Sequence, residues 1–272
     1  LIGRLKRYWL TYEPSAYKRG AKEKYPLIIA IHGFTCSGEF FANNSDWHWV
    51  GEERGAFVVY PSAYPFTRSV KSPMGDHIAT PEWNAGGFPG SPDPEGPDEL
   101  AYFRELIKRT TESYPIDKER IYVTGHSNGA MMTQRLMRYM PEVFAGFAPV
   151  GFMENIHGNM QPEPDDGILR NVWYTIGEYD GKGCELEEGN VNVSTIRLLC
   201  EHNKIAYENR RYYETGIYMH SLFNTEAGVP LVRFTGVKNW PHTYSPELAF
   251  MIYDEFFSQF IRHEDGSLEY LA

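Results

Sequence analysis

The 272-residue chain predicts an α/β fold: a mainly parallel, twisted sheet with helices on both faces. Three observations carry this. Short apolar runs rich in β-branched and aromatic residues recur along the chain, as at Leu27–Ile31 and Ala56–Tyr60. Segments of helical period alternate with such runs, as at Asp98–Ser113 and Asn128–Met140. Apolar content of 42% against 23% charged residues suffices for a sizeable core. The length suits one such domain over residues 1–272.

Taken in order, Arg7–Thr11 reads as a first strand. "LIIAI" at Leu27–Ile31 is a buried strand bounded by Pro26 and His32-Gly33. Ser45–Glu53 suits a helix, with Ser45 or Asp46 as cap. "AFVVY" at Ala56–Tyr60 is a strand stopped by Pro61. The pattern then lapses: residues 61–97 hold eight prolines and five glycines. A structureless stretch of this length often carries function. It also holds Tyr64, Phe66, Trp83 and Phe88, which a disordered linker would lack. It therefore reads as an excursion that lines a substrate site. Asp98–Ser113 follows as a helix, with Pro97 at its start. Arg120–Thr124 is a strand and Asn128–Met140 a helix ended by Pro141. Phe144–Val150 and Asn171–Ile176 are strands, Val193–Asn203 a helix, and Leu231–Thr235 the last strand. Pro246–Arg262 closes the chain as a helix with an apolar stripe.

Several classes are disfavoured. A net charge of −10 opposes binding to nucleic acid or an anionic membrane. The longest apolar runs are far too short to span a bilayer. No G-x-G-x-x-G follows the first strand, and no cysteine pair has metal-ligand spacing, so no cofactor or metal is expected. Cys36, Cys184 and Cys200 leave room for one bridge, Cys184 to Cys200, without requiring it. Asn43 and Asn192 match N-x-[ST]. The chain opens at Leu1 with no visible leader, which leaves the compartment open and is compatible with secretion.

Chemistry is concentrated in Gly125-His126-Ser127-Asn128-Gly129. This G-x-S-x-G lies between a strand and a helix with no room for a loop. A serine on such a sharp turn projects its hydroxyl from the sheet edge, beside the helix N-terminus. Ser127 is thus the candidate nucleophile. A serine needs a base, and the base an orienting acid, in the chain order Ser, acid, His. His157, His202, His220 and His242 follow Ser127. His242, in "NWPHTYSP" between the last strand and the last helix, is best placed; His202 and His220 read as surface or packing residues. Asp180, in "GEYDG" after the strand Asn171–Ile176, is the candidate acid, with Glu178 its rival. Developing charge on a carbonyl oxygen requires donors. The main-chain N–H groups of Phe34, in the turn after "LIIAI", and of Asn128 are the candidates. Trp83, Phe88, Trp240 and Thr35 are candidate substrate-binding residues.

"IHGFTCSGEFF", "PEWN", "IDKERIYVTGHSNGAMMTQRLM", "FAPV", "GEYDG" and "NWPHTYSPELAFMIYDEFF" together resemble one family of α/β-hydrolases. It groups polyhydroxybutyrate depolymerase-like esterases with feruloyl and acetylxylan esterases. The resemblance runs from about residue 8 to about 262. It implies the α/β-hydrolase fold, a Ser127–Asp180–His242 triad and an oxyanion turn at His32-Gly33. It further implies a small ester or an ester-decorated polysaccharide as substrate. Feruloyl or acetyl esters of plant polysaccharides are favoured, with polyhydroxyalkanoates and other short-chain hydroxyacid esters as the alternative. The chain departs from the family's pattern at Phe34, which follows the His-Gly pair, and at Tyr244, where relatives carry Trp.

Overall fold

The computed structural model describes residues 5–20, 22–67, 79–86, 92–153, 164–181 and 183–271. Its centre is a nine-stranded sheet. The strands of that sheet are β1 (Trp9–Tyr12), β2 (Tyr25–Ile31), β3 (Phe57–Pro61), β6 (Ile116–His126), β7 (Gly146–Val150), β8 (Val172–Gly177), β9 (Arg210–Thr215), β10 (Tyr218–Asn224) and β11 (Pro230–Val237). Their spatial order is β1-β3-β2-β6-β7-β8-β11-β10-β9. The run from β3 to β11 is parallel throughout. β1 closes one edge and β10-β9 the other, all antiparallel. A two-stranded ribbon, β4 (Pro65–Phe66) with β5 (Thr80–Pro81), stands apart.

The parallel strands are apolar because helices cover both faces. Every residue of β2, β3, β7 and β8 is buried. The helices are α1 (Gly38–Asn44), α2 (Trp47–Arg54), α3 (Glu99–Ser113), α4 (Asn128–Tyr139), α5 (Val191–His202) and α6 (Glu247–Glu255). Local signals set several of their ends. Asp98 caps α3 by accepting from the Ala101 N–H at 3.0 Å, and Ser37 caps α1 through the Phe40 N–H. Asp46 precedes α2, as the spacing predicts, but its side chain makes no capping bond.

Several elements depart from expectation. α1 and the β9-β10 hairpin arise where no element is predicted. The hairpin packs His220 between Thr215 and Thr235, so His220 is a buried packing residue. The closing helix ends at Glu255 rather than Arg262. Phe256, Phe257 and Phe260 are all fully buried. Phe256 meets Trp173 edge-on, while Phe257 stacks on Tyr122 with centroids 4.8 Å apart. The chain unwinds, and β12 (Phe260–Arg262) then pairs with β13 (Leu268–Tyr270).

All three cysteines are free thiols, so the bridge that their number allowed is absent. Asn192 is buried and donates to the Gly183 carbonyl, which closes that sequon to modification. No helix among the described residues is long and apolar enough to cross a membrane.

Behind the first strands, Arg7 reaches in to Glu99 at 2.8 Å, and both side chains are shielded from water. Burial raises the Glu99 pKa, while Arg7 opposes that shift. Removing one partner leaves a buried charge uncompensated. Arg7→Ala is therefore expected to cost about 3–5 kcal/mol of stability, read as a lower urea midpoint with an unchanged slope. A loss under about 1 kcal/mol would show that water reaches the pair.

Candidate active site

β6 ends at His126 and α4 begins at Asn128, so Ser127 alone makes the turn. Its backbone sits at φ 56°, ψ −115°, a conformation that costs a non-glycine residue of the order of 1–3 kcal/mol. Two glycines make the turn possible. A Cβ on Gly125 would lie 2.4 Å from the Gly129 carbonyl oxygen, and one on Gly129 would lie 2.2 Å from that of Ile31. Helix and strands therefore touch backbone to backbone. The Ser127 N–H donates to the Val150 carbonyl at 2.9 Å, which holds the strained residue in the sheet.

The other two polar residues arrive from neighbouring strand ends. The turn after β8 carries Asp180, and the loop between β11 and α6 carries His242. The Ser127 hydroxyl lies 2.8 Å from His242 Nε2. His242 Nδ1 donates to Asp180 Oδ1. Asp180 Oδ2 accepts from the Gly177 N–H at 2.6 Å, which fixes the carboxylate plane. The Asp180 side chain is 5% exposed and that of His242 is 48% exposed. The hydrogen bond to Asp180 raises the His242 pKa above the ordinary histidine value, against partial burial. Glu178, the rival acid, instead accepts from the Asn239 N–H and stabilises the His242 loop.

His126 lies against this pair. Its ring centroid is 4.9 Å from that of His242. Burial, with the neighbouring His242, pushes its pKa down to about 3. Its Nε2 is shielded and has no hydrogen-bond partner among the described residues.

The turn after β2 lies across from Ser127. A Cβ placed on Gly33 would be 3.5 Å from Ser127 Cβ. Asn128 opens α4, so its N–H has no acceptor within the helix. Phe34 and Asn128 thus flank the serine. A cleft of about 800 Å3 opens over them. Phe34, Phe40, Phe41, Met131, Phe152, Tyr179 and Tyr244 make its wall largely apolar, and Glu82 adds one carboxyl-bearing side chain.

The structure brings Ser127, Asp180, His242, Phe34 and Asn128 together. It does not bring Trp83 or Trp240 to the cleft. Trp83 is fully buried, stacked on Tyr102 beneath the site. Trp240 holds the His242 loop instead: its Nε1 donates to the Thr243 carbonyl, and its own carbonyl accepts from Tyr179. Thr35 is in the left-handed region at φ 61° and shapes the turn without lining the cleft. Phe88 and His157 lie outside the described residues. Of the 61–97 excursion, Glu82 is the one described residue in the cleft wall. Phe40 and Phe41 were not anticipated, although Ser37-Gly-Glu-Phe-Phe carries a cap followed by apolar residues.

A parallel sheet, a one-residue strand-to-helix turn at a serine and a Ser–His–Asp hydrogen-bonded series at the strands' carboxyl ends match the α/β-hydrolase fold. Comparison with solved structures agrees on the fold. The acetyl xylan esterase from Aspergillus awamori superposes with a TM-score of 0.62 at 15% identity, over 92% of this chain and 93% of that one. An S-formylglutathione hydrolase from Agrobacterium tumefaciens gives 0.55 at 13%, over 93% and 88%.

In sequence the chain is related to carboxylic-ester hydrolases. It is 30% identical to poly(3-hydroxyalkanoate) depolymerase C of Paucimonas lemoignei over 48% of this chain and 28% of the relative. It is 31% identical to acetylxylan esterase A of Aspergillus ficuum over 44% and 35%. It is 30% identical to feruloyl esterase B of Talaromyces stipitatus over 46% and 31%. The matches thus span about a third of each relative's length. No family model matches the chain.

The two neighbouring imidazoles should titrate far apart. In an NMR pH titration of the imidazole resonances, His242 is expected above the ordinary value of about 6.5 and His126 neutral down to at least pH 4. Asp180→Asn should bring the His242 midpoint down, because its raising partner is gone. An unchanged midpoint would show that the Asp180 contact does not set the protonation of His242.

Proposed function

We propose that the chain is a serine carboxylic-ester hydrolase. The observation that carries this reading is the unbroken relay from the strained Ser127 hydroxyl through His242 to Asp180. Ser127 Oγ attacks the ester carbonyl while His242 Nε2 accepts its proton. Asp180 keeps Nδ1 protonated, so Nε2 is the basic nitrogen, and it stabilises the imidazolium that forms. The main-chain N–H groups of Phe34 and Asn128 hold the tetrahedral oxyanion. His242 then protonates the leaving alcohol, and an acyl-Ser127 remains. Water, deprotonated by the same imidazole, releases the acid and regenerates the serine.

The favoured substrates are feruloyl or acetyl esters of plant polysaccharides. The aromatic cleft wall supports a phenolic acyl group, since Phe34, Phe152 and Tyr179 offer faces and edges for ring contact. Similarity to acetylxylan and feruloyl esterases points the same way. Similarity to a poly(3-hydroxyalkanoate) depolymerase supports the second reading, a short-chain hydroxyacid ester. Rates on methyl ferulate, acetylated xylan and hydroxybutyrate oligomers, compared as kcat/KM, separate the two. Absence of both ferulate and acetate release would remove the first.

The mechanism is tested with a p-nitrophenyl acyl ester. Ser127→Ala is expected to lower kcat by several orders of magnitude, roughly 10^4 or more, with the fold intact. Turnover near that of the wild type would refute the assignment.

A further inference from the structure

We infer that Trp83 is a positioning residue: through its indole and its peptide group it fixes both main-chain donors assigned to the oxyanion. This rests on the esterase reading above. Trp83 touches neither the cleft nor the triad, so its part is played through two other segments.

One segment is the turn after β2. Trp83 Nε1 donates to the His32 carbonyl at 2.9 Å. Two residues earlier, the Pro81 carbonyl accepts from the Thr35 N–H at 2.9 Å. The Gly33-Phe34 pair is thus clamped on both sides by Pro81–Trp83. The His32 ring completes the clamp. Its Nε2 accepts from the Ala63 N–H at 3.0 Å, so the proton resides on Nδ1, which donates to the Gly33 carbonyl at 2.7 Å. Burial pushes the His32 pKa down to about 4 and keeps the ring in this neutral form. In a planar trans peptide, N–H and C=O point in opposite directions. Holding the Gly33 oxygen therefore sets the direction of the Phe34 N–H.

The other segment is the start of α4. The Trp83 N–H donates to Asn128 Oδ1 at 2.6 Å, and Asn128 Nδ2 donates back to the Trp83 carbonyl at 3.3 Å. The side-chain amide imitates a strand neighbour and anchors Asn128 by both its groups. Trp83 is itself wedged from behind, against Tyr102 and Phe103, beneath Arg7. One buried residue therefore couples the two donors, which come from segments almost a hundred residues apart in sequence. Such donors act through preorganisation, so a small shift weakens the transition state and leaves ground-state binding largely untouched.

The test is Trp83→Phe, which keeps a ring and removes the indole N–H. Its kcat is expected to fall about 10- to 100-fold, with KM changed less than about threefold and the acid midpoint of the pH profile unmoved. Affinity for an arylboronic acid, which forms a tetrahedral adduct, should weaken by a similar factor. Asn128→Ala retains its own main-chain N–H but loses the anchor; it should show the same pattern and serves if Trp83→Phe does not fold. Far-UV circular dichroism and the urea midpoint report folding. A folded variant with unchanged kcat and boronate affinity overturns the inference, as does a rise in KM alone. If Ser127→Ala remains active, the esterase reading fails first. If Ser127→Ala is inactive while both other variants match the wild type, only the positioning role fails.

Discussion

Gly129 rests on the Ile31 carbonyl and Gly125 on the Gly129 carbonyl, both closer than any side chain would permit. This backbone contact between α4 and the ends of β2 and β6 governs what surrounds it. It leaves one residue to turn from strand to helix, and that residue is Ser127 at positive φ. The strain is held on two sides. The Ser127 N–H enters the sheet through Val150, and its carbonyl begins the helix by accepting from Met131. The same contact presses the helix N-terminus against the end of β2, so the His32-Gly33-Phe34 turn comes to lie beside the serine. The strained serine and the main-chain N–H groups beside it are thus consequences of one close approach. A methyl group at either glycine would separate them together.

The parallel strand order supplies the rest. β6, β8 and β11 point the same way, so the segments that leave their carboxyl ends meet on one edge. Ser127 and His242 are 115 positions apart, and Asp180 and His242 are 62 apart. Sheet topology places them in mutual reach without any local sequence relation. Burial then divides the labour. Asp180 is enclosed and held by the Gly177 N–H, and so serves as a fixed anchor. His242 stays half exposed, which suits the proton transfers proposed for it.

Much of this was legible in the residues. The central strands are continuous apolar runs, and the elbow announces itself as five residues between a strand and a helix. His242 and Asp180 follow from their places after strands. The aromatics were less legible, because a tryptophan in a proline-rich stretch reads equally well as a ligand platform or as a core plug. Trp83 proved to be core because Arg7, Tyr102 and Phe103 enclose it, and those partners lie on other elements. The closing helix misled for a similar reason. Its apolar stripe continues past Glu255, but Phe256 and Phe257 pack on Trp173 of β8 and Tyr122 of β6, partners that the local period does not reveal. The β9-β10 hairpin alternates weakly, since an edge strand faces water along much of its length.

Three histidines surround the serine, and sequence alone shows three equal imidazoles. Their environments make them unlike. His32 is buried, and its ring bonds fix one neutral tautomer that braces the turn. His126 precedes the serine directly, yet burial holds it neutral and its Nε2 has no partner among the described residues. Only His242 has a carboxylate on one nitrogen and the serine hydroxyl on the other. The neutrality of the first two matters to the third. A charged imidazole 4.9 Å from His242 would lower its basicity and offset what Asp180 contributes. With His126 held neutral, Asp180 is the group that raises the His242 pKa.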